Sequence, residues 1–263
     1  MVNKMQATLI KKELKGVVKD GNFFVNYLLV PLIIAVGVPV SLVLSIIFME
    51  DGAQLEQIMA VIPNSAELAQ ESFTIISALF NGFLPMTFLM IPVMISAAMA
   101  SSSFTGEKER RTLETLLYSP MSLRNIFDAK IIAAFLVSML VTFVSFIAMV
   151  VIVGLLVWVF LGEFLVPSIS WLVILGLVVP AFSFIGLIFQ VKLSAESKNS
   201  QEAFQRSAVL ILPLVMLIVT QSMGLLMVNM WMLLGVGFVL TGAAWLLMKT
   251  MFRKFTYEEL LKG

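Results

Sequence analysis

The residues with the greatest capacity for polar chemistry lie together in one short segment near the middle of the chain. They are five charged side chains, Glu107, Glu109, Arg110, Arg111 and Glu114. On a helix, Glu107 lies three and four positions before Arg110 and Arg111, so these side chains can form ion pairs. Leu113 and Leu117 give the same helix an apolar edge. The pattern predicts a short amphipathic helix that binds a partner protein or, alternatively, only stabilises the loop that contains it.

Side chains that carry out catalysis or bind metal ions are scarce in this chain. It has no Cys and no His residue, so thiol chemistry, disulfides and Cys- or His-based metal sites are excluded. The phosphate-binding pattern GxxxxGKS or GxxxxGKT is also absent. The chain is therefore not expected to hydrolyse ATP by a P-loop mechanism. We predict no catalytic residue, no metal site and no cofactor site.

Composition indicates which kind of protein must position the charged segment. Hydrophobic residues make up 60% of the 263 residues, and charged residues make up only 13%. The mean hydropathy is +1.04. A soluble domain has about half apolar and about a quarter charged residues. The sequence therefore predicts an all-α integral membrane protein with a single transmembrane domain over residues 1–263.

Six apolar runs are long enough to cross a bilayer, which takes about 20 helical residues. They lie at about 23–49, 73–100, 131–161, 169–191, 207–227 and 230–248. The last two follow one another without a charged residue, so the turn at 221–229 is predicted to be re-entrant, buried by protein or facing a water-filled cavity. The deep parts of all six runs lack Asp, Glu, Lys and Arg, which argues against an ion-coupled transporter.

The distribution of positive charge predicts how these spans are oriented. Lys and Arg fall only in segment 1–22, the block 101–130, the block 192–206 and the tail 249–263, with five, five, three and four residues respectively. The other connections, 50–72, 162–168 and 221–229, contain neither residue type. Because positive residues stay on the cytoplasmic side, both termini are expected in the cytoplasm. The location predicted for this multi-pass protein is a prokaryotic plasma membrane.

Residues 1–22 form a basic amphipathic segment. Its five lysines flank an apolar stripe that includes Leu9, Ile10 and Leu14. A helix of this kind suits the surface of an anionic membrane, although a solvated lead-in to the first span would have the same composition. Membrane lipids are therefore expected partners, and the net charge of +1 gives no indication of nucleic-acid binding.

The segment from Gly106 to Leu117, GEKERRTLETLL, followed by Ser119 and Pro120, resembles a signature of ABC-2 type permeases. These are the membrane subunits of one class of ABC transporters. Their pattern is approximately G-E-K/R-E-x-G-T-L/M-E-x-L-L, and this chain departs from it at Arg111, where many members have Gly. A second segment, Lys198 to Pro213, is similar to the family's polar connection between spans 4 and 5. The resemblance covers essentially the whole chain and implies the six-span ABC-2 fold, like that of type V exporters.

The resemblance implies that the chain is the permease subunit of an ATP-driven transporter. ATP and Mg²⁺ would be bound by a separate ATPase subunit, and a second copy or a similar permease would complete a dimer. The 101–130 block would contain a coupling helix that contacts the ATPase through Glu107, Glu109, Arg110, Arg111, Leu113, Glu114 and Leu117. A second, smaller contact would involve Glu196, Glu202 and Arg206.

The sequence constrains the transport pathway and the substrate less tightly. Asn81, Gln221 and Asn229 are candidate polar groups of the pathway, and each is equally suited to a helix–helix hydrogen bond. The spans are rich in adaptable Met, Phe and Leu side chains, which suit an amphipathic peptide, drug or lipid-like substrate, and export is favoured over import. Two other functions stay open: an ATP-independent secondary transporter or channel, and a non-transporting membrane scaffold or sensor.

Overall fold

The computed structural model describes residues 4–19, 29–48, 72–105, 123–195, 197, 199–222 and 230–254. Over these residues the chain is almost entirely helical, and no strand occurs among them. Six helices are long and apolar enough to cross a membrane, which confirms the predicted all-α fold. They are numbered here as spans 1 to 6: Leu29–Ile47, Ser72–Ser103, Asn125–Leu161, Ile169–Val191, Gln201–Gln221 and Met230–Leu247.

The spans are built from α-helices with short π-helical segments between or after them. The α-helices are Lys4–Lys19, Leu29–Ile47, Ser72–Ala78, Leu84–Phe88, Met90–Ala100, Leu123–Leu161, Ile169–Val173, Val179–Ala195, Ser200–Arg206, Ala208–Ser222 and Met230–Lys254. The π-helical segments are Leu79–Phe83 and Ser101–Thr105 in span 2 and Ile174–Val178 in span 4. Such π-helical turns are rare and occur frequently at functional positions.

The helix of span 3 begins before the predicted boundary at residue 131. It starts at Leu123 and continues without interruption to Leu161. Ile126 and Ala129, which lie in the charged block of the sequence, are buried. Their burial extends the packed face of the helix beyond the predicted membrane-spanning run, so the helix is longer than the apolar run from which it was predicted.

Span 2 lies at the centre of the bundle. In its most apolar window 72% of the residues are buried, against 17% in span 5 and 17% in span 6. It packs against spans 1, 3, 4 and 5. Spans 5 and 6 lie at the periphery and expose large apolar side chains such as Met216, Trp231 and Val239. In a membrane, such faces meet lipid or another subunit.

Four backbone carbonyl groups of span 2 accept hydrogen bonds from side chains of other spans. The bonds, donor first, are Trp171 Nε1 to Phe80 at 3.1 Å, Gln221 Nε2 to Gly82 at 2.8 Å, Ser138 Oγ to Pro92 at 2.9 Å and Lys130 Nζ to Ser103 at 2.8 Å. The hydrocarbon core offers no water to these groups, so a side chain that bonds a carbonyl there fixes the position of its own span. Spans 3, 4 and 5 are each attached to span 2 in this way.

Trp171 makes one of the fully buried attachments. Pro85 has no N–H group, so it cannot donate to the carbonyl of Phe80, five residues earlier, in the π-helical register. The indole of Trp171 donates to that carbonyl instead. The ring is fully buried and packs on Phe80, Phe88 and Phe146 with centroid distances of 5.6, 5.5 and 5.0 Å. Span 4 is therefore held to span 2 by both packing and a hydrogen bond.

Replacing Trp171 by Phe should destabilise the bundle by about 1–3 kcal/mol, because the buried carbonyl of Phe80 loses its indole donor. The measurement is the midpoint of thermal unfolding of the purified protein in detergent. Trp231→Phe serves as the control, since Trp231 is 79% exposed and should leave the midpoint nearly unchanged. Equal midpoints for Trp171→Phe and the parent would contradict the anchoring role.

Candidate functional site

One end of the bundle gathers four elements that are far apart in the sequence. They are the N-terminal helix Lys4–Lys19, the π-helical segment Ser101–Thr105, the start of span 3 and the short helix Ser200–Arg206. This end of the molecule is called the charged end below. The segment 106–122, which carries the predicted coupling helix, connects the end of span 2 to the start of span 3 here. The charged end is therefore the candidate coupling site.

An ion pair and the hydrogen bonds around it join three of these elements. The Lys130 Nζ atom lies 3.3 Å from Glu13 Oε1, and the two side chains are 3% and 15% exposed. Lys130 also donates to the carbonyl of Ser103 at 2.8 Å. The Ser103 hydroxyl donates to Glu13 Oε2 at 3.0 Å, so both carboxylate oxygens of Glu13 are bonded. Glu13, Ser103 and Lys130, called the Lys130 cluster below, tie the N-terminal helix to spans 2 and 3.

The N-terminal helix presents Glu13 to span 3 because of the way its residues are spaced. Gln6, Ile10 and Glu13 fall on one face and are partly buried, while Lys11 and Lys12 on the other face are exposed. The helix packs along the start of span 3, and Gln6 Nε2 lies 3.5 Å from the carbonyl of Asn125. The apolar stripe found in the sequence thus lies against the protein, and Lys11, Lys12 and Lys15 face away from it.

A second polar cluster joins spans 2 and 4 to the short helix Ser200–Arg206. Gln190 of span 4 is fully buried. Its Nε2 atom donates to the Ser101 hydroxyl at 2.9 Å and to the carbonyl of Ala203 at 3.1 Å. Since an amide nitrogen has two N–H groups, both bonds can exist at once. Gln190 therefore fixes the short helix against the charged end of span 2.

The short helix presents two of the predicted contact residues on its surface. Asn199 caps the helix by accepting a 2.7 Å hydrogen bond from the backbone N–H of Glu202. Glu202 and Arg206 form an ion pair at 2.7 Å, with side chains that are 32% and 44% exposed. An exposed pair at this spacing stabilises a helix by only about 0.3–0.5 kcal/mol. The pair therefore contributes little to folding.

The opposite end of the bundle, called the Asn81 end below, contains two of the predicted pathway residues. Asn81 accepts a 2.7 Å hydrogen bond from the backbone N–H of Ser168, and its Nδ2 atom lies 3.5 Å from the carbonyl of Val166. Gln221 donates to the carbonyl of Gly82. Asn81 and Gly82 both belong to the π-helical segment Leu79–Phe83. In this structure the two side chains hold neighbouring elements together at the Asn81 end.

The remaining predicted site residues lie outside the residues that the structure describes. They are Glu107, Glu109, Arg110, Arg111, Leu113, Glu114, Leu117, Glu196 and Asn229, together with the predicted re-entrant turn from residue 223 onward. The coupling helix and its ATPase contacts stay predictions from the sequence.

The sequence pattern did not single out the Lys130 cluster or Gln190. One signal was present for the cluster, because Glu13 is an acidic residue on the apolar face of a helix whose other charged residues are lysines. A charge on such a face calls for a buried partner of opposite sign. The partner, Lys130, lies in a distant charged block, and local spacing cannot identify it.

Comparison with known proteins gives one match. A model of the family described as ABC-2 family transporter protein matches residues 7–244. No curated protein and no solved structure matches the chain. The matched range contains most of the N-terminal helix, spans 1 to 5 and most of span 6. It therefore includes residues of all four elements of the charged end.

Replacing Lys130 by Met should loosen the N-terminal helix, because the substitution removes the charge that faces the Glu13 carboxylate. Breaking a fully buried ion pair on one side costs about 3–5 kcal/mol, and the partial exposure of Glu13 lowers our expectation to about 1–3 kcal/mol. The measurement is hydrogen exchange of residues 4–19 in nanodiscs, which should become faster in the variant.

Two further variants complete this test. Lys12→Met changes an exposed lysine of the same helix and should leave the exchange rates as in the parent. The double variant Glu13→Gln with Lys130→Met leaves no buried charge unpaired and should exchange more slowly than Lys130→Met alone. Exchange in Lys130→Met at the parent rate would show that the cluster does not hold the helix.

Proposed function

The chain belongs to the ABC-2 family of transporter proteins, and from this membership we propose that it is the permease of an ATP-driven exporter that works with a separate ATPase subunit. As a family member it is the membrane component of an ABC transporter and a multi-pass membrane protein. ATP and Mg²⁺ would bind to the ATPase, and this chain would bind neither. The charge distribution of the sequence supports an orientation with both termini in the cytoplasm, and the proposed location is the plasma membrane.

The arrangement of the charged end is the observation that carries the proposal. The segment 106–122 begins and ends at spans 2 and 3, whose adjoining residues Ser103 and Lys130 are bonded to each other. The short helix with Glu202 and Arg206 lies against the same end of span 2. An ATPase bound to segment 106–122 would therefore meet both predicted contact regions on one side of the bundle.

The same bonds suggest how movement would pass into the membrane. A displacement of segment 106–122 would act on spans 2 and 3 together, because the Lys130 cluster joins them and the N-terminal helix. Gln190 would pass the displacement to span 4 through its bond with Ser101 of span 2. Spans 2, 3 and 4 and the N-terminal helix would then move together, and rigid-body rotations of this kind are a common form of switching.

A cavity between spans 1, 2, 3 and 5 supports an amphipathic peptide, drug or lipid-like substrate. Its volume is about 350 Å³, within the range of small-molecule sites, and its walls include Val38, Phe83, Phe88, Met149 and Val219. The hydroxyl of Thr87, which also lines the cavity, is bonded to the carbonyl of Leu84. Apolar groups of a substrate would fit these walls, and its polar groups would need another partner.

A second permease, either a copy of this chain or a similar one, would complete the transporter. The exposed apolar side chains of spans 5 and 6, among them Leu212, Met216 and Phe238, offer a face for such a partner. In a dimer of this kind each permease would bind one ATPase subunit.

Charge reversal in the predicted coupling helix tests the proposal. Glu107→Lys and Glu114→Lys should each lower ATP hydrolysis by the captured complex at least about tenfold, since like charges placed against a partner cost several kcal/mol. The measurement is the hydrolysis rate of material captured with the tagged permease from its native host. Membrane insertion of both variants should match the parent.

Glu163→Lys is the matched control, because it makes the same change of charge in the exposed connection at the Asn81 end. Its captured complex should hydrolyse ATP at the parent rate. If the variants at 107 and 114 insert normally and their complexes also hydrolyse ATP at that rate, these residues do not couple the permease to an ATPase.

A further inference from the structure

Span 5 is attached to the bundle differently from its neighbour, span 6. Both spans are largely exposed. Span 6 approaches span 4 closely at Gly237, where a Cβ atom would lie 2.4 Å from Leu177 Cδ2. Span 5 begins at Gln201, and Ala203 and Ser207 near its start are buried. Over the rest of the span, the buried residues are Leu214 and Gln221. Span 5 is thus held by little packing, and its polar attachments matter correspondingly more.

Two glutamines supply those attachments, one at each end. At the charged end, Gln190 of span 4 donates to the carbonyl of Ala203, in the short helix from which span 5 continues. At the Asn81 end, Gln221 of span 5 donates to the carbonyl of Gly82 at 2.8 Å. The two residues are 0% and 4% exposed. The Gln190 bond is therefore shielded from water, whereas the Gln221 bond is partly buried, because its acceptor Gly82 is exposed.

The two glutamines share a second property. The Oε1 atoms of Gln190 and Gln221 are buried and have no hydrogen-bond partner among the described residues. A buried acceptor without a donor raises the free energy of the state that contains it. The raised free energy is released when the side chain turns toward water or toward a donor elsewhere. The arrangement in the structure is therefore bonded but not fully satisfied.

The attachment of span 4 provides the contrast. Trp171 bonds the carbonyl of Phe80, two residues before Gly82, and its single polar atom is satisfied by that bond. Its ring is enclosed by three aromatic side chains. Spans 4 and 5 thus bond the same π-helical segment of span 2, one through a satisfied group and one through a group with an unsatisfied oxygen.

We propose that Gln190 and Gln221 are positioning residues that hold span 5 in a releasable position, and that both bonds break when span 5 moves during transport. The assignment to transport rests on the proposed function, whereas the release of span 5 is a property of this chain alone. One such bond changes an equilibrium by roughly 2- to 12-fold. Span 5 would then mainly occupy the position seen in the structure, and little free energy would be needed to move it out of that position.

The distance between spans 3 and 5 in the permease alone tests the release. The chain has no Cys, so spin labels can be attached to Cys residues introduced at Leu140 and Met216, which are 63% and 69% exposed. Labelled chains are diluted with unlabelled chains in nanodiscs, and no ATPase is present. The variants are Gln190→Met and Gln221→Met, which keep the side chain close in size and remove its hydrogen bonds.

The parent should give one main distance by double electron–electron resonance. Each variant should increase a second population at another distance by about 2- to 12-fold, and the double variant should increase it further. Gln201→Met and Gln205→Met are matched controls, because both glutamines are exposed on the short helix. They should reproduce the parent distribution.

Unchanged distance distributions in both single variants would overturn the proposal, even if the variants unfold at a lower temperature. If one variant fails to fold, the other decides the question, because the two bonds lie at opposite ends of span 5. When an ATPase subunit and ATP are added, the parent should populate the same second distance. If it does not, the role of the two glutamines in transport is overturned. The proposed function is tested separately, by the rate of ATP hydrolysis of the complex captured with the tagged permease.

Discussion

Backbone carbonyl groups in the membrane must be bonded by the protein, and span 2 shows how strongly this constraint shapes the molecule. Its π-helical segments and Pro85 alter the hydrogen-bond register of the helix. The carbonyls of Phe80, Gly82, Pro92 and Ser103 accept hydrogen bonds from side chains of spans 3, 4 and 5. A central helix that is bonded in this way determines the positions of its neighbours.

The constraint also connects the two ends of the bundle. Span 2 ends in the Lys130 cluster at the charged end and carries the Asn81 and Gln221 bonds at the Asn81 end. A displacement applied at the charged end would therefore reach the other end through one well-packed helix. Spans 5 and 6 surround that helix with much less burial. The bundle thus combines a firmly packed centre with loosely held outer spans, which is the division that a transporter with moving parts requires.

The sequence predicted the six spans well, because a run of about 20 apolar residues has few alternatives to a membrane helix. It did not predict which polar residues would be buried. Lys130 stands at the edge of a charged block but is almost fully buried beside Glu13, which lies 117 positions earlier. Gln190 sits in an apolar run with no local feature to distinguish it. Such contacts depend on which helices become neighbours, and the helical period of one segment contains no information about that.

The central claim is that this chain works as the permease of an ATP-driven assembly. Native mass spectrometry of the tagged protein, purified in detergent from its host, tests that claim most directly. The expected assembly contains two permeases, each of 29.1 kDa if both are copies of this chain, and two copies of an ATPase subunit. Recovery of the chain without any ATPase, in a form that moves solute into liposomes in the absence of ATP, would contradict the account.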